Sequence, residues 1–343
     1  MSNVYWPLYE VFVRGKQGLS HRHVGSLHAA DERMALENAR DAYTRRSEGC
    51  SIWVVKASEI VASQPEERGE FFDPAESKVY RHPTFYTIPA HVRSEMNQLT
   101  AYTLRLGDNC LVLSQRLGEW CGHAPELEID LALANIGLDL LGQARNFLSY
   151  AAELAGEGDE DTLAFTRDER QFSNLLLVEQ PNGNFADTIA RQYFIDAWHV
   201  ALFTRLMESR DPQLAAISAK AIKEARYHLR FSRGWLERLG NGTDVSGQKM
   251  QQAINKLWRF TAELFDADEI DIALSEEGIA VDPRTLRAAW EAEVFAGINE
   301  ATLNVPQEQA YRTGGKKGLH TEHLGPMVAE MQYLQRVLPG QQW

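Results

Sequence analysis

The sequence predicts a mainly α protein, a helical bundle preceded by a small α+β module. Three observations lead there. From residue 97 onward, apolar residues recur at helical spacing through long segments separated by short joints. The N-terminal part instead carries three short alternating runs, aromatic and β-branched, around one helical stretch. Between the two lies polar chain punctuated by Pro65, Pro74, Pro83 and Pro89.

Residues 5–14 (YWPLYEVFVR) read as a strand, and Gly15 to Gly18 mark a turn into a second strand at 22–28. Residues 29–46 are helical, with Ala30, Met34, Ala35 and Ala42 on one apolar face. Residues 51–56 (SIWVVK) form a third strand. The polar tail that follows contains Phe71, Phe72, Tyr80, Phe85 and Tyr86. A module this small cannot bury all of them. Either the tail folds back on its own module, or Phe71, Phe72, Phe85 and Tyr86 are anchors for contacts between chains. The expected domains are residues 1–89, a joint at 90–95 and a bundle at 96–343.

Helices are expected at about 97–121, 125–155, 184–210, 212–239 and 246–265, with shorter ones near 268–276, 283–302 and 321–338. Residues 125–155 are apolar around much of their circumference, as expected of a helix at the centre of a bundle. Asp211-Pro212 supplies an N-cap followed by proline at the first helical position. Gly240-Asn-Gly242 supplies a stop. Long helices with short joints and no internal repeat predict a ferritin-like bundle rather than a solenoid.

Charge narrows the partners. Residues 1–95 carry 12 basic and 13 acidic residues, whereas 96–343 carry 23 and 35. An acidic body argues against nucleic acid and anionic membranes. No window approaches the apolar run that a membrane span needs, and the N-terminus lacks a secretory pattern. Cys50, Cys110 and Cys121 form no close pair, so a reducing, cytoplasmic setting with free thiols is expected.

The chemistry-bearing residues lie on three bundle helices. One reads Asp196-x-x-His199 and another Glu224-x-x-Tyr227-His228. Di-iron bundles take a Glu from each of two helices and a Glu-x-x-His from each of the others. Here the helix around Asp139 has Gly142 where a histidine is needed, and Tyr227 stands where the second histidine belongs. His228 comes one residue late, about 100° of rotation, and is not expected to substitute. These seven residues read as a vestigial metal site without metal. Asp139, Asp196 and Glu224 then need partners, for which Lys220, Lys223, Arg226 and Arg145 are candidates. His199, in an apolar run, reads as a buried core histidine or a ligand.

Other patterns are weaker. His21, His23 and His28 lie near a strand, but no cysteine or acidic ligand adjoins them. Gly314-Gly-Lys-Lys-Gly318 is a solvated loop or a phosphate cradle, without P-loop spacing. No nucleophile elbow or dinucleotide fingerprint is present.

Two longer stretches carry a resemblance. Residues 1–89, through YWPLYEVFVRGKQGLSHRHVGSLHAADERMALENARDAYTRR and GCSIWVVKASEI, resemble the B subunit of the bacterial phenylacetyl-CoA epoxidase family. Residues 96–343, through YTLRLGDNCLVLSQRLGEW, NIGLDLLGQARNFL, FADTIARQYFIDAWHVALF and KEARYHLRFSRGWLERLG, resemble its C subunit. The resemblance implies two subunits of a monooxygenase complex of aerobic phenylacetate catabolism, joined in one chain. It implies that catalysis, ring 1,2-epoxidation at a di-iron site, belongs to a partner A subunit. It also implies a transient reductase partner using NADPH with flavin and iron–sulfur, no cofactor in this chain, and self-association through both modules. The alternative is a catalytic di-metal oxygenase or oxidase using Asp139, Asp196, His199, Glu224 and His228. A plain ferritin-like storage protein fits the α+β module and the incomplete ligand set poorly.

Overall fold

The structure, a computed structural model, describes residues 6–15, 20–44, 49–61, 97–307, 310–339 and 341. The chain divides into two compact units, Met1–Arg81 and His82–Trp343. Phe71, Phe72, Tyr80, Phe85, Tyr86 and the expected joint at 90–95 lie outside the described residues.

In the first unit, β1 (Leu8–Arg14) pairs antiparallel with both β2 (Arg22–His28) and β3 (Ser51–Lys56), giving the order β2-β1-β3. One face of β1 presents Tyr9 and Val11 to α1 (Glu32–Tyr43), which answers with the small residues Ala35 and Ala39. Asp31 caps α1 by accepting from the Met34 amide. The register slips between Val11 and Phe12, opposite Gly25. Gly25 has φ +148°, and a Cβ there would lie 2.5 Å from the Tyr43 hydroxyl, so both backbone and space demand glycine. The opposite sheet face keeps Trp53 exposed, with His21 stacked on it at 3.6 Å.

The second unit is helical. Its frame is α2 (Gln98–Gly118), α3 (Leu127–Ala155), α5 (Phe185–Leu206) and α6 (Pro212–Gly240). These form two hairpins, α2 with α3 and α5 with α6. The short helix α4 (Glu160–Phe165) lies in the longer crossover between them, as in ferritin-like bundles. The helices α7 (Asp244–Leu257), α8 (Glu269–Glu276), α9 (Arg287–Glu300) and α10 (Leu324–Val337) complete the unit. The expected single helix at 246–265 changes at Trp258 into a 3₁₀ stretch running to Phe265. Asp211 caps α6 with Pro212 at its start, as the sequence signals.

The centre is not where the apolar circumference of residues 125–155 put it. Every residue from Tyr102 to Ser114 on α2 and from Thr188 to His199 on α5 is buried. On α3, Leu127, Leu131, Leu138 and Leu141 are exposed instead. The polar residues of α2 are buried in matched pairs. Asp108 is fully buried and takes both terminal nitrogens of Arg167 and the Ser173 amide. Arg105 reaches across to Asp268 at 2.5 Å.

Deleting one member of such a pair leaves the other charge buried and unmatched, at a cost of about 3–5 kcal/mol. Asp108→Ala should therefore lower the urea-unfolding free energy of the chain by about that amount. A loss under about 1 kcal/mol would mean that Arg167 finds water in the folded state.

Candidate functional site

The seven predicted residues converge where α3, α5 and α6 meet, but they do not form a ligand set. Asp196 is fully buried on α5. Its two oxygens accept from the Gln192 amide at 2.7 Å and the Ser232 hydroxyl at 2.7 Å. Glu224 accepts from the Gln143 amide at 2.8 Å, and the Gln143 carbonyl faces the Cys110 thiol at 3.7 Å. Asp139 is half-buried and meets Nε2 of the buried His228 at 3.0 Å. The carboxylates are thus satisfied by amides, a hydroxyl and an imidazole, not by lysine or arginine. Arg145 pairs with Glu160 on α4, and Lys220, Lys223 and Arg226 stay at the surface. A basic side chain brought inward would have to shed its own hydration, whereas amide and hydroxyl partners do not.

Tyr227 and His228 exchange their expected places. Tyr227 is 44% exposed under the Arg230 guanidinium, while His228 points inward. Relative to Glu224, the third residue on is rotated about −60° and the fourth about +40°, so both border the same stripe of the helix. The aromatic, cation-contacting side chain takes the outward side and the imidazole the inward one.

Gly142 faces open space: an added Cβ would meet nothing within 4 Å. Beyond it lies a cavity of about 210 Å³, lined by Asp139, Gly142, Asn146, Lys220 and Glu224 among others. His199 stacks on Phe203 at 5.1 Å, and its Nδ1 finds no hydrogen-bond partner, nor does Nδ1 of His228. Among the described residues, no group of three or more His, Cys, Asp or Glu side chains is arranged to hold a metal ion. These residues do not fit a di-iron centre. Glycine stands at 142 and an outward tyrosine at 227, Cys110 stands on α2 beside Gln143 and Glu224, and both Asp196 oxygens are engaged by Gln192 and Ser232.

Sequence reasoning missed Cys110, Gln143, Gln192 and Ser232. A signal existed. Gln143 follows Asp139 by four, Gln192 precedes Asp196 by four, and Ser232 follows His228 by four. Polar residues stacked on the stripe of a candidate ligand are its natural partners.

The weaker patterns resolve as structure. His23 bonds Glu10 at 2.6 Å and His28 bonds the Trp6 carbonyl, with no metal-holding cluster among the described residues. The amides of Gly314 and Gly315 both donate to buried Glu263 at 2.8 Å, and Lys316 donates to Asp271. The donors a phosphate would need are already spent.

No helix among the described residues is long and apolar enough to cross a membrane. The fold and site define a ferritin-like bundle whose inner carboxylates Asp139, Asp196 and Glu224 are held in an internal polar network. A family model described as phenylacetic acid catabolic protein matches residues 88–343, and one described as phenylacetic acid degradation B matches residues 5–93. A phenylacetate-CoA oxygenase subunit PaaB of known structure, from Ralstonia eutropha JMP134, is 67% identical, with 97% of that chain and 18% of this one covered and a TM-score of 0.17. The chain belongs to the phenylacetic acid catabolic protein family and joins a B-type and a C-type subunit in one polypeptide.

Burial lifts the Asp196 carboxyl to about 6, partly offset by His228 and by its two hydrogen bonds. Burial lowers the His199 ring to about 3, and His228 lowers it further. A raised acid favours the fold below its unfolded value near 3.8, and that contribution is lost as pH rises through about 6. The depressed His199 acts oppositely, losing stability as pH falls from 6.5 toward about 3. Asp196→Asn removes only the first effect. Its stability relative to the native chain should rise by about 3 kcal/mol between roughly pH 4 and pH 7. Parallel stability curves for the two proteins would show that Asp196 does not titrate inside the fold.

Proposed function

We infer that this chain is the non-catalytic structural and bridging component of a multicomponent oxygenase that epoxidises the ring of phenylacetyl-CoA. Its families belong to a phenylacetate-degrading oxygenase complex. The observation that carries the finer reading is the state of the carboxylates. Asp196, Glu224 and Asp139 each already hold a hydrogen-bond partner that a metal would displace. Oxygen activation needs a redox metal on a full ligand set with an open position. In this reading the di-iron site belongs to a separate catalytic A subunit, and electrons come from a reductase using NADPH.

The division of labour follows the chain. Residues 1–89 are the bridging module, 90–95 the joint, and 96–343 the supporting bundle. A rigid bundle fixes the helices of the catalytic subunit that face it, and catalytic geometry is sensitive to small displacements. Phe71, Phe72, Phe85 and Tyr86 are candidates for contacts between chains.

One observation favours the catalytic alternative: Nδ1 of His199 and Nδ1 of His228 are both buried and unpartnered. Reconstitution separates the two. The purified chain with reductase, NADPH and phenylacetyl-CoA should yield no epoxide. With the catalytic A subunit added, product formation should exceed that of the A subunit alone. Turnover by the isolated chain, in proportion to its own iron content, would overturn the structural reading.

A further inference from the structure

The crossover between the two hairpins contains a stretch that is buried without regular structure. Every residue from Phe172 to Gln180 except Ser173 is buried, and none belongs to a helix or strand. Buried backbone groups must find partners, and here side chains from elsewhere in the unit supply them. Asp108 and Asn109 on α2 accept from the Ser173 and Leu175 amides. Glu263 accepts from the Leu176 amide, and Arg116 donates to the Glu179 carbonyl.

His320, on the loop before α10, meets this stretch near both of its ends. Its Nδ1 lies 2.8 Å from a Glu179 carboxylate oxygen, and its Nε2 lies 2.9 Å from the Phe172 carbonyl oxygen. The imidazole is 5% exposed and the Glu179 side chain not at all. A neutral imidazole carries one N–H and one lone pair. Either neutral tautomer would set that lone pair against an oxygen, and only the imidazolium donates to both. The proton stays on the ring rather than on the carboxyl, because Glu179 also accepts from the Asn174 amide and from the amide and hydroxyl of Thr321.

We propose that protonated His320 is a pH-sensitive clamp, which holds the loop around residues 314–321 onto the 172–180 stretch and releases it when the ring loses its proton. The neighbouring charges are already committed. Asp108 pairs with Arg167, whose guanidinium lies 4.3 Å over the Phe172 ring. Arg116 is spent on the Glu179 and His323 carbonyls and on Glu119. Glu263 takes the Gly314 and Gly315 amides, and Lys316 takes Asp271. Among the described residues, His320 is thus the cation that meets the Glu179 carboxylate. Burial alone would lower the pKa of the ring, but the Glu179 contact, the Phe172 carbonyl and the Asp108 charge raise it above 6.5. A raised base stabilises the closed loop fully below 6.5, and that contribution is lost as pH rises through the raised value.

Hydrogen exchange of the full chain, read by mass spectrometry from about pH 6 to about pH 9 and corrected for intrinsic base catalysis, tests the clamp. Opening of peptides covering 312–323 should rise about tenfold per pH unit above the unfolded value, then level off once the raised value is passed. Peptides covering 188–199 on α5 should show no such rise. His320→Gln, which does not titrate, should open more than the native chain at about pH 6 and show a flat profile. Ring-nitrogen NMR of the histidine-labelled native chain gives a reading that does not require this variant to fold: one ring should keep both protons above about pH 7. Equal and pH-independent opening in both regions would overturn the proposal. So would a rise that persists in His320→Gln, or the absence of any doubly protonated ring above about pH 7.

Discussion

A carboxylate held in the middle of a helical bundle must be matched, and the rest of this site follows from how Asp196 is matched. It lies on the most deeply buried stretch of α5, where an unpaired charge would be expensive. In a di-metal bundle a cation provides the match. Here Gln192 and Ser232 do so from the same stripe and from the facing helix. Neutral donors stabilise the ionised form only in part, which is why the carboxyl remains near 6 rather than in the usual range. The same substitution recurs at Glu224 with Gln143.

The shape itself rests on packing and on a few charged cross-links away from Asp196. Asp108 with Arg167 ties α2 to the crossover between the hairpins, Arg105 ties α2 to Asp268 at the start of α8, and Glu263 gathers the amides of Leu176, Gly314 and Gly315. Trp290 closes the far side by donating to the Phe194 carbonyl. Each link joins segments distant in sequence. None of these links runs through Gly142, which borders open space and a cavity of about 210 Å³.

The helices and strands were legible because their signals are local: the Asp211-Pro212 start, the alternating run of β1 and the long apolar periodicities. The centre of the bundle was not legible. α2 is central although polar, because Arg105, Asp108 and Asn109 are matched by residues far along the chain, which no local pattern announces. α3 looks central because of four leucines that its own unit leaves in solvent. Apolar periodicity reports that a face will be covered, not by what. The choice between Tyr227 and His228 was not legible either, because both border the inward stripe and only packing decides.

The central claim is that polar side chains have replaced the metal. Anaerobic titration of the isolated chain with Fe(II), followed by calorimetry, tests it most directly. The account predicts no saturable binding attributable to the bundle, and an identical trace for Asp196→Asn. Tight binding of two iron ions per chain, lost in Asp196→Asn, would contradict it.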